Sequence, residues 1–148
     1  MEELDLFRQT LLESKKESTF RKVANSFSEH ILDYDHFPEE YLKFLVELLS
    51  NVEFYVEKGV FHFLAMIGVD TDIMSASQLK TISDTITENF INYKDDMLCL
   101  TSCDFFAHYY PYEEAKKILL SIKEVENNKA EQGYAEDGLR TLEFNHQS

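Results

Sequence analysis

HFPEEY (residues 36–41) and YPYEEA (residues 110–115) are two similar stretches that hold both prolines of the chain. In each stretch an aromatic residue precedes the proline, and two glutamates lie within the next three positions. Proline suits the first turn of a helix, where its missing N–H would have no partner, and carboxylates there interact favourably with the helix dipole. The two stretches therefore predict two helix starts, which lie 73 residues apart.

Apolar residues recur at helical spacing on both sides of these starts and predict about eight helices. Ser18 is the expected N-cap of the second helix, Ser75 or Ser77 of the fifth, and Asp95 of the sixth, because short polar side chains accept hydrogen bonds from the first free N–H groups. The predicted core-facing residues include Leu4, Phe7, Leu11, Leu12, Phe20, Phe27, Leu45, Leu48, Val56, Phe63, Ile82, Ile86, Met97, Phe106, Leu119, Ile122, Leu142 and Phe144.

The fourth helix is predicted to be continuous from about residue 53 to residue 67, and it is apolar on several sides, which is typical of a central helix. Gly59 lies inside it and would cost about 1 kcal/mol relative to alanine unless close packing requires a glycine. Residues 69–72 are predicted to be a loop after this helix. A last helix is expected over about residues 135–144.

The first helices of successive pairs start near Glu2, Pro38, Ser77 and Pro111, at intervals of 36, 39 and 34 residues. Helix pairs with this period are typical of α-solenoids. We therefore predict an all-α fold, in which α-hairpin repeats stack as a short right-handed solenoid of HEAT or armadillo type. Residues 1–148 would form one domain, with units of about 2–34, 38–70, 75–109 and 111–145. Because residue identities barely repeat, an irregular eight-helix bundle is the alternative.

The net charge is −14, and nearly all of it lies in the middle of the chain. Between Glu29 and Glu114 there are 17 acidic and four basic residues, whereas the two ends together hold 11 acidic and 10 basic residues. Such a field repels nucleic acid and anionic membranes and attracts basic partners. We therefore expect a protein partner and no binding of nucleic acid or membrane.

Several features favour a cytoplasmic protein. The N-terminal stretch MEELDLFRQT is acidic and amphipathic, unlike a signal peptide, and the longest nearly apolar run, residues 60–69, is too short to span a bilayer. The two cysteines, Cys99 and Cys103, are too few for a disulfide-stapled secreted scaffold. With His108 they could suggest a metal site, but the ligands are too few, and we expect the thiols to be core residues.

The sequence contains no catalytic or phosphate-binding motif, and its five histidines are scattered. We therefore predict neither an enzyme nor a cofactor. The expected partner-binding residues are instead acidic or aromatic side chains in loops and on the second helices of the pairs, which commonly line the inner face of a solenoid. They are Asp33, Asp35, Glu53, Glu57, Phe61, Asp70, Asp72, Asp95, Asp96, Asp104, Tyr109 and Tyr110. The alternative for the aromatic residues is packing between helices.

The small size, the acidic charge and the stacked α-hairpins resemble bacterial immunity proteins, especially the helical-repeat antitoxins of contact-dependent growth inhibition systems. The stretch AEQGYAEDGLRTLEF (residues 130–144) is similar to the closing helices of small bacterial HEAT-like domains. The resemblance implies a cytoplasmic protein that binds a basic toxin domain, commonly a nuclease, in a 1:1 complex and occludes its active site. It carries no signature motif, so no family residue is transferred.

Two other functions are consistent with a helical repeat. One is a HEAT-like adaptor or scaffold domain that binds a protein without inhibiting it. The other is an enzyme such as the helical-repeat DNA glycosylases. These need a basic groove, which the net charge of −13 between Glu29 and Glu114 disfavours.

Overall fold

The structure, a computed structural model, describes residues 2–14, 16–56, 59–126 and 133–147. Throughout these ranges the regular structure is helical. The α-helices are α1 (Glu2–Ser14), α2 (Glu17–Ile31), α3 (Glu39–Ser50), α4 (Val52–Tyr55), α5 (Phe61–Ile67), α6 (Ala76–Asn89), α7 (Asp96–Tyr109), α8 (Tyr112–Glu126) and α9 (Tyr134–Gln147). Two 3₁₀ segments, Gly68–Ile73 and Phe90–Asn92, follow α5 and α6.

The helices stack in the order of the chain. Helix α2 packs on α5, α5 on α7 and α7 on α9, so the second helices of successive pairs form one layer. The first helices form the other layer, in which α3 packs on α6 and α6 on α8. Helix α1 packs on α2 and reaches α3 through Arg8, whose Nη2 lies 2.8 Å from Oε1 of Glu47. This arrangement confirms the prediction of an all-α fold of stacked helix pairs.

The prolines mark helix starts, as predicted. Pro38 is the N-cap residue of α3, with φ −64°, and Pro111 directly precedes α8 and accepts a backbone hydrogen bond from Ala115 over 2.8 Å. Ser75 caps α6 in a capping box with Gln78, whose side chain bonds back to the Ser75 N–H.

The capping prediction is confirmed for Asp95, which accepts from the Met97 N–H at the start of α7. It is wrong for Ser18, because α2 begins earlier. Lys16 occupies its N-cap without a side-chain hydrogen bond.

The prediction of one continuous fourth helix is wrong, because the helix is interrupted between α4 and α5. The break lets the adjacent residues Phe54 and Tyr55 both enter the core. It also brings Gly59 against Phe20, where an added Cβ would lie 2.5 Å from the Phe20 Cβ. The glycine is thus explained by close packing. The stretch predicted as a loop continues α5 as the 3₁₀ segment Gly68–Ile73.

The core is one aromatic-rich cluster that runs along the stack. Rings of Phe27, Phe44 and Phe63 meet where α2, α3 and α5 converge, with centroids 5.6–6.1 Å apart. Both cysteines are buried, as expected for core thiols. Some predicted core residues are exposed, because they face outwards at the terminal helices, at the α4–α5 break or in the first turn of α7. These are Leu12, Val56, Met97 and Phe144.

Candidate functional site

The connections between successive helix pairs meet at one end of the stack, together with the starts of the first helices. The Tyr41 hydroxyl donates to the Glu3 carboxylate over 3.4 Å, which joins the starts of α3 and α1. The N–H of Phe37, just before α3, donates to the carbonyl of Ile73 over 3.1 Å. The Gln78 amide, in the first turn of α6, also donates to the Phe37 carbonyl, over 2.8 Å.

The same end continues to the last pair. The Tyr110 hydroxyl, between α7 and α8, donates to the Leu79 carbonyl in the first turn of α6 over 2.6 Å. Next to it, the Tyr109 ring lies against Gly68 at the end of α5. We call the segments 2–7, 32–42, 68–79 and 109–115 the acidic end.

The acidic end contains eleven acidic residues, and the first cation after each of its segments is Arg8, Lys43, Lys80 or Lys116. Nine of these acidic residues are exposed, and Glu3 and Asp70 are half-buried. The set comprises Glu2, Glu3, Asp5, Asp33, Asp35, Glu39, Glu40, Asp70, Asp72, Glu113 and Glu114. The glutamate pairs favour the helix starts through the helix dipole, and here they add to the negative field of the loop aspartates.

Six of the predicted partner-binding residues lie at this end: four aspartates, and Tyr109 and Tyr110, which are described below. Asp33, Asp35 and Asp72 are exposed, and the Asp35 carboxylate lies 2.9 Å from Nδ1 of His36. Asp70 differs, because its Oδ2 is buried and makes no hydrogen bond within the described part of the chain. Burial raises the pKa of Asp70, since the ionised carboxylate loses water contacts. Asp70 is therefore less available to a partner than the other three.

Three other predicted residues lie at the opposite end, where the connections within pairs meet. Glu53 is exposed in α4. Asp95 is only 8% exposed and caps α7, so its role is structural. Asp96 accepts a hydrogen bond from the Tyr134 hydroxyl over 2.7 Å, which ties α7 to α9. Glu57, also predicted for this region, lies outside the described residues.

A groove between α5 and α7 holds two of the predicted residues, Asp104 and Tyr109. Its volume is about 290 Å³, and it is lined by Leu64, Ala65, Thr101, Asp104, Phe105, His108 and Tyr109. Burial is the main cause that raises the pKa of Asp104, and the nearby Asp137 raises it further, whereas His108 lowers it. The groove therefore presents one half-buried carboxylate between apolar and aromatic walls.

Phe61 and Tyr110 belong mainly to the packing. Phe61 is half-buried against the core, with its ring 4.1 Å from the His62 ring. Tyr110 is only 7% exposed, and its hydroxyl is taken up by the Leu79 carbonyl. This burial corrects the prediction for Tyr110: the packing alternative describes it, and it offers little surface to a partner.

The sequence interpretation missed Thr101 and His108 as groove residues. Together with Asp104 they are spaced three and four residues apart and so share one face of α7. A polar stripe on an otherwise apolar helix is the signal that could have indicated them. The sequence interpretation also missed a second groove, of about 550 Å³, between α6 and α8. This groove is more apolar than the α5–α7 groove, and its lining includes Leu79, Pro111 and Ile118.

No protein-family model, curated protein or solved structure matches this chain. Among the described helices, none is long and apolar enough to cross a membrane. Over the ranges 2–14, 16–56, 59–126 and 133–147, three or more His, Cys, Asp or Glu side chains are nowhere grouped so as to hold a metal ion.

Proposed function

We propose that this protein binds a basic protein through its acidic end and neutralises it, as an immunity protein neutralises a toxin domain. The observation that supports the proposal is the concentration of eleven acidic residues in four segments that meet at one end of the stack. A nuclease is the expected target, because its active site is basic and carboxylates can occupy the positions of phosphates.

Grouping like charges in this way opposes folding, because the carboxylates repel one another. A basic partner removes that repulsion on binding, so the electrostatic free energy favours the complex. The same field acts before contact is made. Steering of this kind raises association rates by roughly 10- to 1,000-fold at low salt.

The experiment starts from the gene immediately upstream of the one for this protein, which in a toxin–immunity pair encodes the toxin. The C-terminal domain of its product is purified, and its nuclease activity is measured with and without this protein. We expect inhibition that is complete at a 1:1 ratio, with an association rate that falls as salt rises. Binding without inhibition would instead indicate an adaptor.

Charge reversal tests the acidic end itself. The double variant Asp33→Lys/Asp72→Lys alters two exposed residues there, and Glu88→Lys/Glu124→Lys is the matched control, because both glutamates are exposed and lie towards the opposite end of α6 and α8. We expect roughly tenfold slower association for the first variant and little change for the control. Equal effects of the two variants, or binding that is insensitive to salt, would contradict the proposal.

A further inference from the structure

The groove between α5 and α7 contains a carboxylate that forms no close ion pair within the described part of the chain. Asp104 makes neither an ion pair nor a hydrogen bond to another described side chain, although it is half-buried. A half-buried charge without a partner costs folding free energy. A cationic group that entered the groove would remove this cost.

The titratable neighbours make no ion pair with that charge. His108 lines the same groove and lowers the pKa of Asp104 through its charge, but its Nδ1 lies 3.2 Å from Nδ2 of Asn145. Asp137 on α9 faces the same region, and its carboxylate is paired with Arg140 over 2.8 Å. The groove is thus electrostatically suited to one added positive charge.

The walls of the groove favour one type of cation. The accessible aromatic ring is that of Tyr109, which is 40% exposed and is backed by the buried Phe105, with their centroids 5.8 Å apart. An arginine guanidinium is planar and weakly hydrated, so it stacks on aromatic rings and bonds a carboxylate in fixed geometry. A lysine ammonium is more strongly hydrated and makes neither contact as well.

We propose that this groove receives an arginine side chain of the basic protein partner, with the guanidinium on Asp104 and its aliphatic stem between Ala65 and Tyr109. The volume, about 290 Å³, is just below the usual size of small-molecule pockets, which start near 300 Å³, and suits a single side chain. The inference rests on the proposed function, because it assigns an anchor point for the same partner on the face adjoining the acidic end.

The test uses the full chain and two probes, N-acetyl-arginine amide and N-acetyl-lysine amide, in NMR titrations of the backbone amides. We expect the arginine probe to shift the resonances of Thr101, Asp104 and His108 and to bind several-fold more tightly than the lysine probe. The near-isosteric variant Asp104→Asn should weaken arginine binding roughly fivefold. The exposed Asp72→Asn, with the same charge change, should leave it unaltered.

A second variant, Tyr109→Ala, removes the aromatic wall and should weaken the arginine probe while sparing the lysine probe. Equal affinities for the two probes, shifts confined to the acidic end, or unchanged binding by Asp104→Asn would overturn the inference. These results are independent of the toxin assay. If inhibition were lost in the acidic-end variant alone and Asp104→Asn had no effect on either assay, the proposed function would stand and the arginine site would fall.

Discussion

The ring of Tyr109, at the end of α7, lies directly against Gly68, where the 3₁₀ segment begins. An added Cβ on Gly68 would lie 2.8 Å from the Tyr109 hydroxyl oxygen and closer still to the ring carbons. Because Tyr109 is partly exposed, its ring can swing outwards. We expect Gly68→Ala to cost about 1 kcal/mol, the lower end for overpacking, and to open one wall of the α5–α7 groove. Urea unfolding and the Tyr109 ring resonances measure the two effects.

The matched variant is Gly59→Ala, which places a methyl group against the fully buried Phe20. The colliding atoms are the Phe20 Cβ, which is fixed to the backbone, and Cγ, which the surrounding core holds in place. We expect a larger cost, about 2–3 kcal/mol. Both variants reduce the freedom of the unfolded chain in the same way, so their difference isolates the contact. Equal losses of stability in the two variants would mean that the Tyr109 ring is held as firmly as the buried Phe20 side chain.

The hydroxyl of Tyr93 is a second sensitive contact, because it donates to the Leu49 carbonyl over 2.7 Å inside the core. The variant Tyr93→Phe keeps the ring packing against Tyr55 but leaves that carbonyl without the donor. We expect a loss of about 1–2 kcal/mol in the free energy of unfolding. The control is Tyr34→Phe, since Tyr34 is exposed and its hydroxyl makes no hydrogen bond to a described residue. A null result for Tyr93→Phe would indicate that water replaces the hydroxyl.

Buried tyrosines predict a loss of stability at alkaline pH. Burial raises the pKa of Tyr41 to about 12 and raises the pKa values of Tyr93 and Tyr110 further. Each folded pKa exceeds the unfolded value of about 10. The stabilisation is therefore complete below pH 10 and is lost as pH rises from there through the folded pKa, by up to about 1.4 kcal/mol per pH unit for each tyrosine.

Denaturant unfolding between about pH 9 and about pH 11 measures this slope, with tyrosinate absorbance as the second readout. For the triple variant Tyr41→Phe/Tyr93→Phe/Tyr110→Phe, provided that it folds, the free energy of unfolding should fall less steeply with pH than for the wild type. Ionisation of all eight tyrosines together near pH 10, without unfolding, would contradict the burial of these three.

Two half-buried aspartates predict a loss of stability with rising pH in the acid range as well. Burial raises the pKa of Asp70 and of Asp104 above 3.8. Their protonated forms favour folding, so this stabilisation is present below pH 3.8 and is lost as pH rises through the folded values. At neutral pH the ionised carboxylates oppose folding. We expect Asp70→Asn and Asp104→Asn each to raise the free energy of unfolding by about 0.5 kcal/mol at neutral pH, since water screens half-exposed groups.

Unfolding curves at neutral pH and near pH 3 test this expectation, because the gain should disappear in acid. Asp35→Asn is the control. The hydrogen bond with His36 lowers the pKa of Asp35, so its ionised form favours folding above pH 3.8. The variant Asp35→Asn should therefore not raise the free energy of unfolding at neutral pH. A gain of similar size in all three variants would point to general charge repulsion instead of burial.

Local signals were sufficient to predict the helix starts. The two prolines, the Ser75 capping box and the Asp95 cap act through atoms a few residues away, so the sequence contains all that determines them. The break after α4 could not be predicted in this way. It depends on Gly59 meeting Phe20, a contact across 39 positions of the chain, and helical periodicity continues through it.

The candidate site was predictable by residue type but not by position. Asp33 and Asp72 lie in connections between pairs, whereas Glu53 and Asp96 lie in or after connections within pairs. In a stack of antiparallel helices these two kinds of connection lie at opposite ends, so one surface cannot include both. The pair boundaries in the sequence imply this division. The α5–α7 groove, in contrast, depends on how two helices 30 or more residues apart pack, which periodicity does not specify.

The packing order of the helices has a consequence for the length of the acidic end. Each pair packs chiefly on the next pair along the chain, and the carboxylates of two connections between pairs and of three helix starts gather at the same end. With helices spaced roughly 8–10 Å apart, four pairs extend this end over roughly 24–30 Å between the first and last helix axes. A chain with one helix pair more or fewer would keep the packing of the remaining pairs. Only the length of the acidic end would change. The number of pairs thus sets the breadth of the acidic surface.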